Sequence, residues 1–220
     1  MIKGIIFDMD GVLVDSEYTF LESKTEMLKD AGFLKDISYQ YQFMGTTFEF
    51  MWQKMKEELG LPDSVESYIK EMNSRRATMI KRDGIRGIRD AVPLVRHLAK
   101  QDIKIAVASS SPKKEILYNM KELGLLPCFD ALVSGEEVEN SKPAPDVFLE
   151  AAKQIDVLPE NCLAFEDTKN GSLAVKRAGM FCVGFKNPEY PAQDLSQADQ
   201  VISSFSNLRM SDLKRWFSEQ

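Results

Sequence analysis

Asp8 and Asp10 stand one residue apart at the end of the apolar run Ile5-Ile6-Phe7, and Gly11 follows at once. Residues two apart on an extended strand project to the same side. Two carboxylates at a buried strand tip repel each other and lose water, a cost that a divalent cation offsets. A carboxylate held in this way could also serve as a nucleophile. Asp-x-Asp-Gly is equally turn chemistry, so the pair alone leaves both readings open. Three further apolar runs end in polar groups of different kinds. Ile103–Ala108 runs into Ser109-Ser110-Ser111-Pro112, Ala131–Val133 precedes Ser141-Lys142-Pro143, and Cys162–Phe165 runs into Glu166-Asp167. Taken singly, these are a helix cap, an exposed turn and an acidic first-turn pair. Taken together they suit a phosphate group. Asp8 and Asp167 offer oxygen ligands to a hard cation, best read as Mg²⁺. Ser109 offers a hydroxyl ahead of a helix N-terminus, and Lys142 brings positive charge to where a phosphoryl group carries negative charge.

Strands and helices have to bring these groups together. After the first strand, strand patterns at Ile103–Ala108, Ala131–Val133, Cys162–Phe165, Phe181–Val183 and Gln200–Ile202 alternate with helical ones at Asp90–Lys100, Lys113–Leu123, Asp146–Ile155 and Lys169–Ala178. Such alternation signals a parallel sheet covered on both faces. The fold class is therefore α/β, a Rossmann-like parallel-sheet core of three layers (αβα). Residues 16–83 break the alternation. They read as the successive helices Glu17–Ala31, Thr47–Leu59 and Ser64–Lys81, an inserted all-helical cap, while 1–15 and 84–220 make the catalytic core. A terminal helix pattern lies at Asp212–Phe217. Ligands of open parallel sheets bind at the strand C-termini, and an insert after the first strand is expected to act as a lid there.

Composition narrows the classes. The 220 residues are 44% hydrophobic and 28% charged with a formal net charge of −6, ordinary for a soluble domain and contrary to a general nucleic-acid binder. No apolar stretch reaches membrane-spanning length and the N-terminus lacks a signal pattern, so the expectation is a cytoplasmic protein without a membrane partner. Cys128, Cys162 and Cys182 show no pair spacing and are expected as buried, reduced thiols. With His97 as the lone histidine, a His-based nucleophilic triad has almost nothing to draw on.

The segments Asp8-Met9-Asp10-Gly11-Val12, Ser109, Lys142-Pro143 and Glu166-Asp167 resemble the four motifs of the haloacid dehalogenase superfamily of phosphohydrolases, and the likeness runs the length of the chain. Within it the chain looks like the branch of β-phosphoglucomutase and small phosphatases with a helical, C1-type cap. The resemblance implies a nucleophile at Asp8 that forms an aspartyl-phosphate, and a general acid and base at Asp10. Ser109, Ser110 and Lys142 would hold the transferring phosphoryl group. Asp8, Asp10 (through its main-chain carbonyl), Glu166 and Asp167 would surround Mg²⁺. Gly45, Thr46 and Phe48 would be the substrate-facing cap residues.

The mutase pattern has a His early in the first cap helix, a Lys before the cap glycine and an Arg after it. Here Thr19, Met44 and Phe48 stand near those places. A phosphatase acting on a small phosphorylated metabolite, a sugar phosphate or a nucleotide, is therefore the leading expectation. A hexose-phosphate mutase of the β-phosphoglucomutase type is the alternative, and a monomer is expected in either case. Most of Phe20, Tyr39, Tyr41, Phe43, Phe48, Phe50 and Trp52 belong to a cap core, with Phe48 or Trp52 as candidates to face the pocket. Arg75, Arg76, Lys81 and Arg82 fit a solvated helix face as well as they fit ligand binding.

Overall fold

Strand β1 (Gly4–Phe7) is the centre of the molecule's sheet, buried at every residue. The structure, a computed structural model, describes residues 1–44 and 46–219; Gly45, one of the expected cap residues, lies outside them. β1 is joined by β2 (Lys104–Ser109), β3 (Ala131–Ser134), β4 (Cys162–Glu166), β5 (Phe181–Phe185) and β6 (Gln200–Ile202) in the order β3-β2-β1-β4-β5-β6. Every pairing is parallel. The register places Phe7 opposite Val107 on one side and Phe165 on the other. Asp8, Ser109 and Glu166, one or two residues beyond those partners, therefore emerge at one level along the sheet edge.

The alternation of the strands divides the core by size. Ile5, Phe7, Ile105, Val107, Leu163, Phe165 and Val183 point to one face, where Leu94, Val95, Leu98, Ile116, Met120 and Leu213 pack on them. These come from helices α4 (Ala91–Leu98), α5 (Lys113–Glu122) and α8 (Met210–Ser218). Ile6, Ala106, Ala108, Ala164 and Cys182 point the other way, against Phe148, Ala151, Ala174 and Val175 of α6 (Asp146–Gln154) and α7 (Lys169–Arg177). The small side chains on this second face let two helices lie close to the sheet. This is the three-layer αβα arrangement, carried by a compact unit made of Met1–Asp15 and Ile85–Gln220. Cys162 and Cys182 are buried in it, but Cys128 is only half-buried, a correction to the expectation of three buried thiols. It lies in a short 3₁₀ turn, Leu126–Cys128, ahead of β3, where no strand or helix covers it fully.

Ser16–Gly84 form a second compact unit of three helices, α1 (Glu17–Asp30), α2 (Phe48–Leu59) and α3 (Val65–Asp83). Thr47 and Ser64 cap α2 and α3 by accepting the amides of Phe50 and Ser67, and Gly60, at φ 67°, ends α2 in the left-handed region that glycine favours. A 3₁₀ segment, Ile37–Phe43, fills the long connection; its alternating Tyr and Gln residues carry no helical period in the sequence. The unit has its own core of Met27, Leu28, Phe43, Met51, Trp52, Met55 and Met72. Trp52 is fully buried and stacks on Tyr68 at 5.0 Å between centroids. It is a core residue and not a pocket residue, because it lies on the buried stripe of α2 with Met51 and Met55. Phe48 opens the helix, where that stripe runs out, and stays exposed.

Candidate active site

β1 delivers Asp8 to the sheet edge by one more ladder step, its amide donating to the Phe165 carbonyl at 3.0 Å. The chain then turns over on itself: the amides of Leu13 and Val14 both donate to the Met9 carbonyl at 2.9 Å. Gly11 makes this turn at φ 79°, and a Cβ there would lie 2.0 Å from Asp167 Oδ2. Only glycine fits.

The Lys142 ammonium lies between two carboxylates, donating to Asp8 Oδ1 at 2.6 Å and to Glu166 Oε1 at 2.8 Å. Its side chain is 9% exposed and sits over the Phe148 ring at 4.8 Å. Glu166 is held at both oxygens. Its other oxygen accepts from the amide of Thr168 at 2.7 Å and from the Thr168 hydroxyl at 3.0 Å, and Gly171 is packed so closely that a Cβ would overlap its carboxylate. Asp8, Glu166 and Asp167 bring one oxygen each within 4.8 Å of one another, and Asp167 Oδ1 is buried with no hydrogen-bond partner among the described residues.

This crowding shows in the proton affinities. Burial pushes the Asp8 carboxyl up to about 7, against the pull of Lys142 and with the help of Glu166 and Asp10. Burial and the neighbouring carboxylates raise Asp167 well above its ordinary range. Burial works to lower Lys142, but Asp8 and Glu166 outweigh it and hold the ammonium above its usual value. Asp8, Glu166 and Asp167 crowd three carboxyl groups around one ammonium, with Asp10 close enough to act on Asp8. An orphaned buried oxygen and this crowding of carboxyl groups fit a divalent cation.

Asp10 is held from β2. The Ser111 hydroxyl donates to Asp10 Oδ2 at 2.7 Å and the Ser109 hydroxyl approaches the same oxygen at 3.4 Å. Ser109 also accepts the Ser111 amide at 3.0 Å, a side-chain turn that swings Ser111 back toward Asp10. Ser110 faces out instead, exposed, with its main chain where a Cβ on Gly135 would touch it. Ser111, not Ser110, is thus the second serine of the cluster.

A family model described as haloacid dehalogenase-like hydrolase matches residues 5–185. The chain belongs to this family. The phosphorylated carbohydrates phosphatase of Thermotoga maritima is 31% identical over 182 residues, covering 81% of this chain and 82% of that protein. Hexitol phosphatase B of Escherichia coli is 30% identical over 223 residues, covering 96% of each. Of solved structures, the β-phosphoglucomutase of Clostridium difficile superposes with a TM-score of 0.74 at 26% identity, over 100% of this chain and 98% of that one.

In this haloacid dehalogenase-like hydrolase the structure gathers Asp8, Asp10, Ser109, Lys142, Glu166 and Asp167 at one end of one sheet. Thr46 and Phe48 belong to the helical unit, where Thr46 donates to the Phe43 carbonyl at 2.7 Å and Phe48 packs on Phe20 at 5.1 Å between centroids; both are exposed. Sequence reasoning missed Ser111 and Thr168. Ser111 was hidden inside a run of three serines. Thr168 carried a usable signal: a Thr three residues before Gly171 is an N-cap pattern, and here it accepts the Gly171 amide at 3.0 Å.

Proposed function

We propose that the protein is a Mg²⁺-dependent phosphatase of small phosphorylated metabolites, working through an aspartyl-phosphate on Asp8. The observation that carries this is the buried Asp8 carboxylate at 2.6 Å from Lys142, beside two further carboxylates. Asp8 Oδ1 is engaged by Lys142, which leaves Oδ2 to attack phosphorus. Asp10 Oδ2 is engaged by Ser111, which leaves Oδ1 to hand a proton to the departing oxygen as the ester bond breaks. In the second half Asp10 takes a proton from water, the water oxygen bonds to phosphorus, and the bond to Asp8 breaks. Lys142 neutralises charge on the phosphoryl oxygens throughout.

Asp8, Asp167 and the Asp10 main chain are assigned as the metal's holders, and Glu166, the third carboxylate of the cluster, fixes Lys142 and Thr168 beside it. Mg²⁺ bound there supplies positive charge that balances the cluster and the incoming phosphate. Ser109 orients Asp10 and remains close enough to serve the phosphate. The helical unit Ser16–Gly84 is assigned as the specificity cap.

Sugar and polyol phosphates are the substrate class this reading favours, in line with the names of the two phosphatases above. Met44 and Phe48 in place of cationic residues speak against the mutase, whose re-orientation of a sugar bisphosphate needs a grip on a second phosphate. No helix among the described residues is long and apolar enough to cross a membrane, and we assign a monomeric cytoplasmic enzyme. The test is phosphate release from a panel of sugar phosphates and nucleotides with Mg²⁺, including β-glucose 1-phosphate with a trace of glucose 1,6-bisphosphate. Steady Mg²⁺-dependent release is expected. Isomer interconversion without release would establish the mutase, and no release from any member would remove the phosphatase reading.

A further inference from the structure

Ser134 closes strand β3 with none of its surface exposed, directly opposite Ser109 in the parallel register. Its hydroxyl has two engagements. The oxygen accepts the Glu136 amide at 3.1 Å and so caps the short 3₁₀ turn Gly135–Glu137. The proton is donated out of that turn, to the main-chain carbonyl of Ser111 at 2.7 Å. A cap needs only an oxygen lone pair. The second bond goes elsewhere, to the residue whose own hydroxyl holds Asp10.

Ser111 is thus pinned at both of its main-chain groups. Ser109 Oγ accepts its amide at 3.0 Å, and Ser134 Oγ donates to its carbonyl. Held at these two points, the residue delivers its side chain to Asp10 Oδ2 at 2.7 Å. The turn that follows Ser134 is tied in its turn to the chain just past Ser111. Glu136 accepts the Lys113 amide at 3.0 Å, and Glu137 accepts the Ser134 amide at 2.8 Å and the Lys113 ammonium at 2.9 Å. A Cβ on Gly135 would lie 3.2 Å from Ser110 Cα, so the two loops pack main chain against main chain. All of these residues belong to the compact unit of Met1–Asp15 and Ile85–Gln220. The carboxylate torsion of an aspartate is broad by itself, so a bond to one oxygen decides where the other points. A general acid depends on that aim, because it acts only within hydrogen-bond reach of the oxygen it protonates.

We propose that Ser134 is a positioning residue for Asp10: by holding the Ser111 carbonyl it aims the Ser111 hydroxyl at Asp10 Oδ2 and so points Oδ1 at the departing oxygen. The proposal rests on the phosphatase reading and brings β3 into the machinery beside β1 and β2. Ser134 acts only through Ser111, from behind the site.

The test compares kcat/KM for two esters that share the phosphate and differ in their need for a proton. p-Nitrophenolate departs unaided, whereas the more basic phenolate gains from a proton donor. In Ser134→Ala with Mg²⁺, phenyl phosphate should lose about tenfold and p-nitrophenyl phosphate no more than about twofold, the scale of one aligning hydrogen bond. A purely structural role would lower both alike. Ser134→Thr keeps the hydroxyl, and the extended backbone there (φ −101°, ψ 148°) suits a β-branched residue. It should bring phenyl phosphate back to within about threefold of the parent protein. Ser111→Ala combined with Ser134→Ala should lose no more than Ser111→Ala alone, since both act through one hydroxyl. Glu136→Ala frees the Lys113 amide from the same turn but leaves the Ser111 carbonyl and its donor in place, so the ratio of the two esters should not move. Equal losses on both esters in Ser134→Ala, additive losses in the double variant, or the same change of ratio in Glu136→Ala each overturn the proposal. A crystal structure of Ser134→Ala gives a readout free of turnover. The Ser111 hydroxyl is expected to leave Asp10 Oδ2, and a contact kept at 2.7 Å overturns the proposal. If the parent protein turns over neither ester while Ser111 does swing away in that structure, the failure belongs to the phosphatase reading and not to the role of Ser134.

Discussion

Replacing Lys142 by Met removes the ammonium that holds Asp8 and Glu166 together while nearly keeping the side-chain volume. The two contacts, at 2.6 and 2.8 Å, are both out of water. Breaking a buried ion pair by deleting one partner costs about 3–5 kcal/mol. That cost depends on pH, and the sign follows from Asp8. Its carboxyl binds a proton up to about 7 in the folded chain, against 3.8 for the ordinary group. The folded state therefore holds more protons than the unfolded state across that window. The stability of the metal-free protein from this group is fully present below about 4 and is lost as pH rises through about 7.

At about pH 5 Asp8 is largely protonated in the parent protein, and Lys142 has lost the charge of that partner. At about pH 8 Asp8 is largely ionised and the full pair is in place. Urea unfolding in a chelator, followed by circular dichroism, should show Lys142→Met destabilised at both values, with the loss at about pH 8 near the full 3–5 kcal/mol and at about pH 5 closer to half of it. With Mg²⁺ and substrate, kcat should fall by about 10²–10³, the usual effect of deleting one donor to developing oxyanion charge. Equal losses at the two pH values, or a kcat within a few fold of the parent protein, would refute this account of the cluster.

Asp8→Asn should abolish turnover and the trapping of labelled phosphate on the protein in an acid quench, yet unfold in chelator at the same or higher urea concentration at about pH 8, since it relieves the carboxylate excess. Ser111→Ala should lower kcat about tenfold by freeing Asp10 Oδ2, while Ser110→Ala stays within about twofold, the scale of one hydrogen bond against none; matching effects of the two would contradict the geometry. Gly171→Ala places a methyl on the Glu166 carboxylate, and should cost about 1–3 kcal/mol in urea unfolding together with most of kcat. Burial pushes the Cys162 and Cys182 thiols up to about 12, so a disulfide reagent at about pH 8 should titrate no more than the half-buried Cys128 in the native protein and all three thiols in urea.

Much of the core was legible because one physical rule writes it. Strands buried on both faces must be apolar at nearly every position, so Ile5-Ile6-Phe7, Ile103–Ala108 and Cys162–Phe165 stand out against the polar helices between them. Their ends are visible for the same reason: the first charged or hydroxylated residue marks where the sheet meets solvent. The helical unit was readable through its caps and glycines. Its 3₁₀ segment was not, since Ile37–Phe43 is held by Asp36 at its cap and by Gln40 bonding back to the Leu21 carbonyl at 2.9 Å. The first is a local cap and the second comes from another part of the chain, and neither leaves a period behind.

The site was readable to the depth of one residue per strand end and no further. Asp8 and Asp167 announce themselves because a charge at the tip of a buried apolar run loses water, and only a partner or a ligand offsets that loss; Lys142, in a turn eight residues past the end of β3, stands out only beside them. Which serine reaches Asp10 is decided by a turn that Ser109 imposes on the amide two residues ahead, and a run of identical residues hides it. That Glu166 holds Lys142, and that Arg75 bridges α3 to α1 through Asp30, depends on where neighbouring elements supply carboxylates. The same logic runs from the core to the helical unit. Where a charge finds its opposite within the fold, as Arg75 does with Glu71 and Asp30, it ties helices together; Asp167 Oδ1, which finds no partner among the described residues, is where we assign a bound cation.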